Sequence, residues 1–202
     1  IPKRDWSSDV CSSDLTDTPV WQRSIGAYQV ASHCRGQGLN CQVIDFVPLF
    51  RVPELLEIID LCIDESSIAI GVSTTFYSHQ DSGQEFYAQK EWADEVVTEH
   101  LRELLSNLKN RYPHIKIIAG GAQSYRVEND PLFDAVFHGY SEQAVFEYVN
   151  TLKNKMPKRL WPKKNGVENI EGKSSQFDVT TLSHRWHETD CILPGESLPI
   201  EI

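Results

Sequence analysis

The chain has 202 residues, 40% of them hydrophobic, with a formal charge of −10. That length and apolar content suit one globular domain with some extra chain, and the acidic surface repels phosphate backbones, which argues against nucleic acid as a partner. No apolar run approaches the roughly 20 residues a membrane helix needs, and the five cysteines form no CxxC pair, so a cytoplasmic protein with reduced thiols is expected rather than a disulfide framework.

The opening segment, residues 1–15, has neither a helical nor a strand period and no signal-peptide pattern. Regularity begins after Thr16. Ile25, Tyr28, Ala31 and Cys34 recur at helical spacing, and Gly36-Gln37-Gly38 suits a helix stop. Cys41–Phe46 reads as a short strand. Pro53 then opens a helix whose buried stripe is Leu55, Leu56, Ile59 and Cys62 or Ile63. The continuous apolar run Ile68–Val72 predicts a strand covered on both faces.

A long polar loop follows, from Ser73 to about Lys90. Ala93, Val96, Val97, His100, Leu101, Leu104, Leu105 and Leu108 then line one face of the clearest helix, which ends at Lys109 and Arg111. Ile115–Ala119 is a strand running into Gly120-Gly121. Ala135–Phe137 is another, ending at His138-Gly139. Ser141 can cap the next helix, bearing Ala144, Val145, Tyr148, Val149 and Leu152. Residues 153–197 turn basic and weakly periodic, a linker with room for one small hairpin, and Leu198–Ile202 alternates like a strand.

Strands alternating with helices predict a three-layer, flavodoxin-like (Rossmann-like) α/β domain with a parallel sheet. Such sheets bind ligands beyond the carboxyl ends of their strands, and four strand ends here are candidates. Ser73, Thr74 and Thr75 offer hydroxyls, or cap local backbone. Gly120 and Gly121 let a flat ligand approach the backbone, or make a tight turn. His138-Gly139-Tyr140-Ser141-Glu142 is a helix N-terminus suited to polar groups, or plain capping. Thr16–Pro19 precedes the first helix in the same way.

Other features have blander readings. His184, His187, Asp190 and Cys191 match no zinc spacing. His100 suits a satisfied boundary histidine. The aromatic group Phe76, Tyr77, Phe86, Tyr87 and Trp92 suits packing of the polar loop more than a cofactor lid. No Ser-His-Asp order, HExxH, P-loop or GxGxxG occurs, and no catalytic or metal-binding residue is expected.

The ordered segments "IGAYQVASHCRGQGLNCQVIDF", "IGVSTTF", "IKIIAGGAQ", "DAVFHGYSEQAVFEYV" and "LPIEI" resemble the N-terminal cobalamin-binding-type domain of radical S-adenosylmethionine enzymes. The resemblance covers residues 16–152, with 153–197 as linker and 198–202 as the first strand of the catalytic barrel. It implies cobalamin as the cofactor, with Ser73, Thr74 and Thr75 facing the corrin, Gly120 and Gly121 near its tail, and Gly139, Tyr140 and Glu142 in a Gly-x-x-Glu turn. It also implies that the iron–sulfur cluster and S-adenosylmethionine sites belong to a part following Ile202, so that this fragment is non-catalytic and its partner is its own barrel. The DxHxxG motif of histidine-ligated cobalamin is missing. A cofactor-free scaffold of the same architecture is therefore the alternative. A receiver domain would need an aspartate where Ser73 stands, and a flavodoxin phosphate loop would need a threonine at Trp21.

The stretch "DWSSDVCSSDL" resembles a translated sequencing-library adapter, so residues 1–15 are expected to be a non-native leader that replaces the domain's native first strand. In a 2-1-3-4-5 order that strand is central. Either Val10–Leu15 fills its slot poorly, or the sheet has a gap beside Ile68–Val72.

Overall fold

The computed structural model describes residues 25–45, 47, 50–74, 99–154 and 161–172. The leader, Thr16–Pro19, Thr75, the aromatic loop, the start of the clearest helix, the histidine group at 184–187 and the terminal 198–202 lie outside them.

Among the described residues the chain runs through four α-helices and five strands: α1 (Ile25–Gly36), α2 (Val52–Cys62), β1 (Ala69–Ser73), α3 (Glu99–Arg111), β2 (Lys116–Gly120), β3 (Ala135–His138), α4 (Glu142–Lys153), β4 (Lys163–Lys164) and β5 (Val167–Glu171). The strands form one mixed sheet in the order β1-β2-β3-β5-β4, parallel except for the β4–β5 hairpin. This is an α/β fold.

Side chains alternate across the sheet, because successive residues of a strand point to opposite faces. Ile117, Ala119, Val136 and Val167 face a core built with Val52, Leu55 and Ile59 of α2 and Leu101, Leu104, Leu105 and Leu108 of α3. Ile118, Ala135, Phe137 and Ile170 face the other core, with Cys34 of α1 and Val145 and Tyr148 of α4. The Phe137 and Tyr148 rings meet edge to face, 5.5 Å apart. Fully burying a side chain of this size contributes about 1.5–3 kcal/mol, so each helix is held mainly by its stripe. Of the expected stripes, Tyr28, Ala31 and Cys34 of α1, Leu101, Leu104, Leu105 and Leu108 of α3, and Val145 and Tyr148 of α4 are buried, Ala144, Val149 and Leu152 are partly buried, and on α2 Ile63 rather than the exposed Cys62 packs inward.

Register at the start of β3 is pinned by Asp134. Its carboxylate accepts from Ile117 N (3.0 Å) and Lys116 Nζ (2.7 Å), and its backbone N–H donates to Ile117 O (2.7 Å). Its carbonyl accepts from Glu168 N at 3.0 Å, which starts the β3–β5 ladder.

Three differences from the sequence reading matter. Cys41–Asp45 carries no strand; a strand exists only against a ladder partner, and among the described residues none runs beside it. β1 is only half-buried, with Gly71 exposed, rather than covered on both faces. It ends the sheet among the described residues, so β2 alone flanks it. Finally, the small hairpin within residues 153–197 is β4–β5, and β5 extends the parallel sheet beside β3, with Val167, Glu168, Asn169 and Ile170 all buried.

Candidate functional site

The carboxyl ends of β1, β2, β3 and β5 lie side by side, and the loops that leave them build the candidate site. Ser73 ends β1 half-buried. Thr74, only 1% exposed, donates from both its backbone N (2.8 Å) and its Oγ1 (2.9 Å) to the carbonyl of Gly120. It stitches β1 to β2 and turns its side chain into the protein, away from any ligand above the strand ends.

Gly121 and Gly139 are the two exposed glycines that follow β2 and β3, with φ of 102° and 68°. An L side chain adopts this left-handed backbone only with strain. Gly120 is different: a Cβ there would make ordinary contacts, 3.9 Å from Phe137 Cβ. Tyr140 projects beyond β3, 51% exposed. Ser141 occupies the N-cap position of α4 but is buried and makes no side-chain cap bond; Glu142, half-buried, stands in the first turn.

A residue missed in the sequence closes this corner. Gly172 donates its backbone N–H to His138 O at 2.8 Å, and a Cβ on it would fall 2.2 Å from the carbonyl oxygen of Tyr140. Only glycine lets the chain leaving β5 lie this close to the turn after β3.

A polar chain runs beneath the loops. Asn169 Nδ2 donates to the carbonyls of Glu128 and Val167, both at 3.1 Å, so its Oδ1 is left to accept from His138 Nε2 at 3.0 Å. That places a proton on Nε2, while Nδ1 pairs with Ser124 Oγ at 3.1 Å. Lys164 lies 2.7 Å from the Glu128 carboxylate and, through that hydrogen bond foremost, holds it below the usual carboxylate range. Ser124 is 4% exposed, so this Ser–His–Asn series braces three loops and does not present a nucleophile. Nothing in local sequence joins Ser124, His138 and Asn169, since β2, β3 and β5 supply one loop or strand each.

Glu168, beside Asn169, is buried at 4% exposure and faces Lys163 Nζ at 3.5 Å. Burial first, and then the Glu168 charge, push the Tyr148 phenol well above its ordinary value. Tyr148 therefore remains a neutral donor to Glu168.

Chemically, the arrangement offers glycine backbone, the exposed rings of Tyr125 and Tyr140, and a helix N-terminus. Both His138 nitrogens are engaged, and among the described residues no group of three His, Cys, Asp or Glu is placed to hold a metal. Gly121 and Gly139 leave their backbone exposed at the ends of β2 and β3. His100, expected at a boundary, is half-buried with Nε2 2.9 Å from Phe50 O.

No protein-family model, curated protein or solved structure matches this chain. Among the described residues no helix is long and apolar enough to cross a membrane.

Proposed function

We propose that this chain is the N-terminal cobalamin-binding-type domain of a radical S-adenosylmethionine enzyme, non-catalytic by itself. The observation that carries the reading is the pair of exposed, left-handed glycines, Gly121 and Gly139, on the adjacent parallel strand ends of β2 and β3. Together with the ordered motifs they support a broad, flat ligand lying across the sheet's carboxyl edge. In this reading the sheet is flavodoxin-like.

Gly121 and Gly139 would let the ring approach the backbone, Tyr140 would line its rim, and Ser73 and Glu142 would supply polar contacts to its amide side chains. Ser124, His138 and Asn169 keep the two glycine loops at fixed height through their hydrogen bonds. Bound cobalamin supplies a methyl group for transfer or assists radical chemistry in the barrel. The cluster, S-adenosylmethionine and substrate belong to that barrel, which is the partner, in a cytoplasmic enzyme.

The test is corrinoid retention. A chain extended through the cluster loop, incubated with hydroxocobalamin and desalted, is expected to keep the corrinoid absorbance. Gly121→Val and Gly139→Val are expected to lose it while remaining folded. One observation favours a second reading, a cofactor-free scaffold: Thr74, expected at the ring, is buried with its hydroxyl on Gly120 O. A folded, extended chain that retains no corrinoid decides for the scaffold.

A further inference from the structure

The end of α1 holds a feature that the strand-end site does not use. After Cys34 the chain reverses through Gly38, whose φ is +84°. Gln37 N bonds to Cys34 O at 3.1 Å, Gly38 N to Arg35 O at 3.1 Å and Leu39 N to Cys34 O at 3.0 Å. Arg35 Nε then donates to Cys41 O at 2.9 Å. These bonds bring Cys41 back over the last turn of the helix. Cys34 is buried in the core between α1, α4 and the sheet, and Cys41 packs against that same core.

The two sulfurs differ in access and in charge preference. Cys34 is 2% exposed, whereas Cys41 is half-buried and reachable. The hydrogen bond to Cys41 foremost, and then burial, push the Cys34 thiol far up. At Cys41 the hydrogen bond from Cys34 stabilises the thiolate; burial opposes this and the Arg35 charge assists it, so its thiol sits below the ordinary value. The more reachable of the two thiols is also the one whose deprotonation is favoured, which is the division of labour between an attacking and a resolving cysteine.

We propose that Cys34 and Cys41 form a redox-active dithiol that small-molecule disulfides oxidise to a reversible intramolecular disulfide. The Cys41 thiolate attacks one sulfur of the small disulfide, whose S–S bond breaks and releases one thiolate. Cys34 gives up its proton to solvent and attacks the Cys41 sulfur, and the second small thiolate leaves. The protein loses two electrons and two protons; the small disulfide gains both and becomes two thiols. The new bond ties the end of α1 to the segment Cys41–Asp45, which has no ladder of its own. The effect reaches α4 directly, because His33 on the same turn meets Gln143 at 3.0 Å.

The experiment is oxidation of the full chain by oxidised glutathione at neutral pH, quenched by alkylation and read by peptide mass mapping. Two of the five thiols are expected to disappear together, in a Cys34–Cys41 cross-linked peptide that dithiothreitol reverses. Cys41 is expected to react before the more exposed Cys62, whose thiol burial pushes upward. Cys34→Ser is expected to stop at a glutathione adduct on Cys41, and Cys41→Ser to leave Cys34 unmodified. The proposal is overturned if Cys62 reacts first, if the cross-link involves another cysteine, or if the Cys34–Cys41 bond forms only in urea. The wild-type map decides this even where a variant fails to fold.

Discussion

β1 and β5 are both five-residue strands with a parallel neighbour, yet their sequences and environments are reversed. Ala69–Ser73 is almost wholly apolar and remains half-buried. Val167–Glu171 carries three polar residues in five and is buried along four of them. The difference lies in neighbours. β5 is flanked by β3 and β4, and its polar side chains find partners: Glu168 meets Lys163 and Tyr148, and Asn169 meets His138 and two carbonyls. Buried polar groups are tolerated when they are paired in this way. β1 has β2 on one side only among the described residues, and hydrophobic side chains cannot bury themselves without something to pack on.

The strongest way to break this comparison is to remove an apolar side chain from each strand. Ile170→Ala in β5 is expected to cost about 2–5 kcal/mol in urea unfolding, and Ile70→Ala in β1 about half as much. Equal losses would show that β1 is as well covered as β5. Next comes Gly172→Ala, whose Cβ would overlap the Tyr140 carbonyl. It should cost about 1–3 kcal/mol, because one of two backbone segments must move. A neutral result would mean that the chain leaving β5 is not held against β3.

Asn169→Leu keeps the volume of the side chain but strands His138 Nε2 and two carbonyls. A loss of about 1–3 kcal/mol is expected, together with faster amide exchange at Ser124. An unchanged exchange rate would deny the bracing role. The smallest effect concerns the α2–α3 layer that covers one face of β1. Asp60 accepts from the Tyr112 hydroxyl and from Arg111 Nη1 at 2.6 Å, and the Tyr112 bond foremost holds its carboxyl below the ordinary value. A carboxylate with a depressed folded pKa contributes stability that is whole above its unfolded value, about pH 4, and is lost as pH falls through the lower folded value. Asp60→Asn should flatten that acid limb of the urea midpoint slightly, the pair being at the surface.

The site was legible in part. Gly121 and Gly139 stand out in sequence because a glycine at a strand end signals unusual backbone, and both have left-handed φ. Thr74 was legible as a strand-end hydroxyl but not as a stitch to Gly120, since the direction of a side chain depends on the strand beside it. Ser124 and Asn169 carried no local signal; one lies in an irregular turn and the other in a stretch that reads as linker. Gly172 becomes necessary only when Tyr140 is brought against it.

By itself, the sequence determined the four helices and the strands β1, β2 and β3. Helical stripes and short apolar runs are local patterns that favour one conformation before any long-range contact forms. Tertiary structure alone decided which strands have neighbours. It left Cys41–Asp45 without a ladder and β1 half-covered, drew a polar strand into the sheet, and joined Ser124, His138 and Asn169. Each of these depends on what lies across a gap of tens of residues, where hydrogen-bond pairing and packing outweigh the chemistry of the residues taken alone.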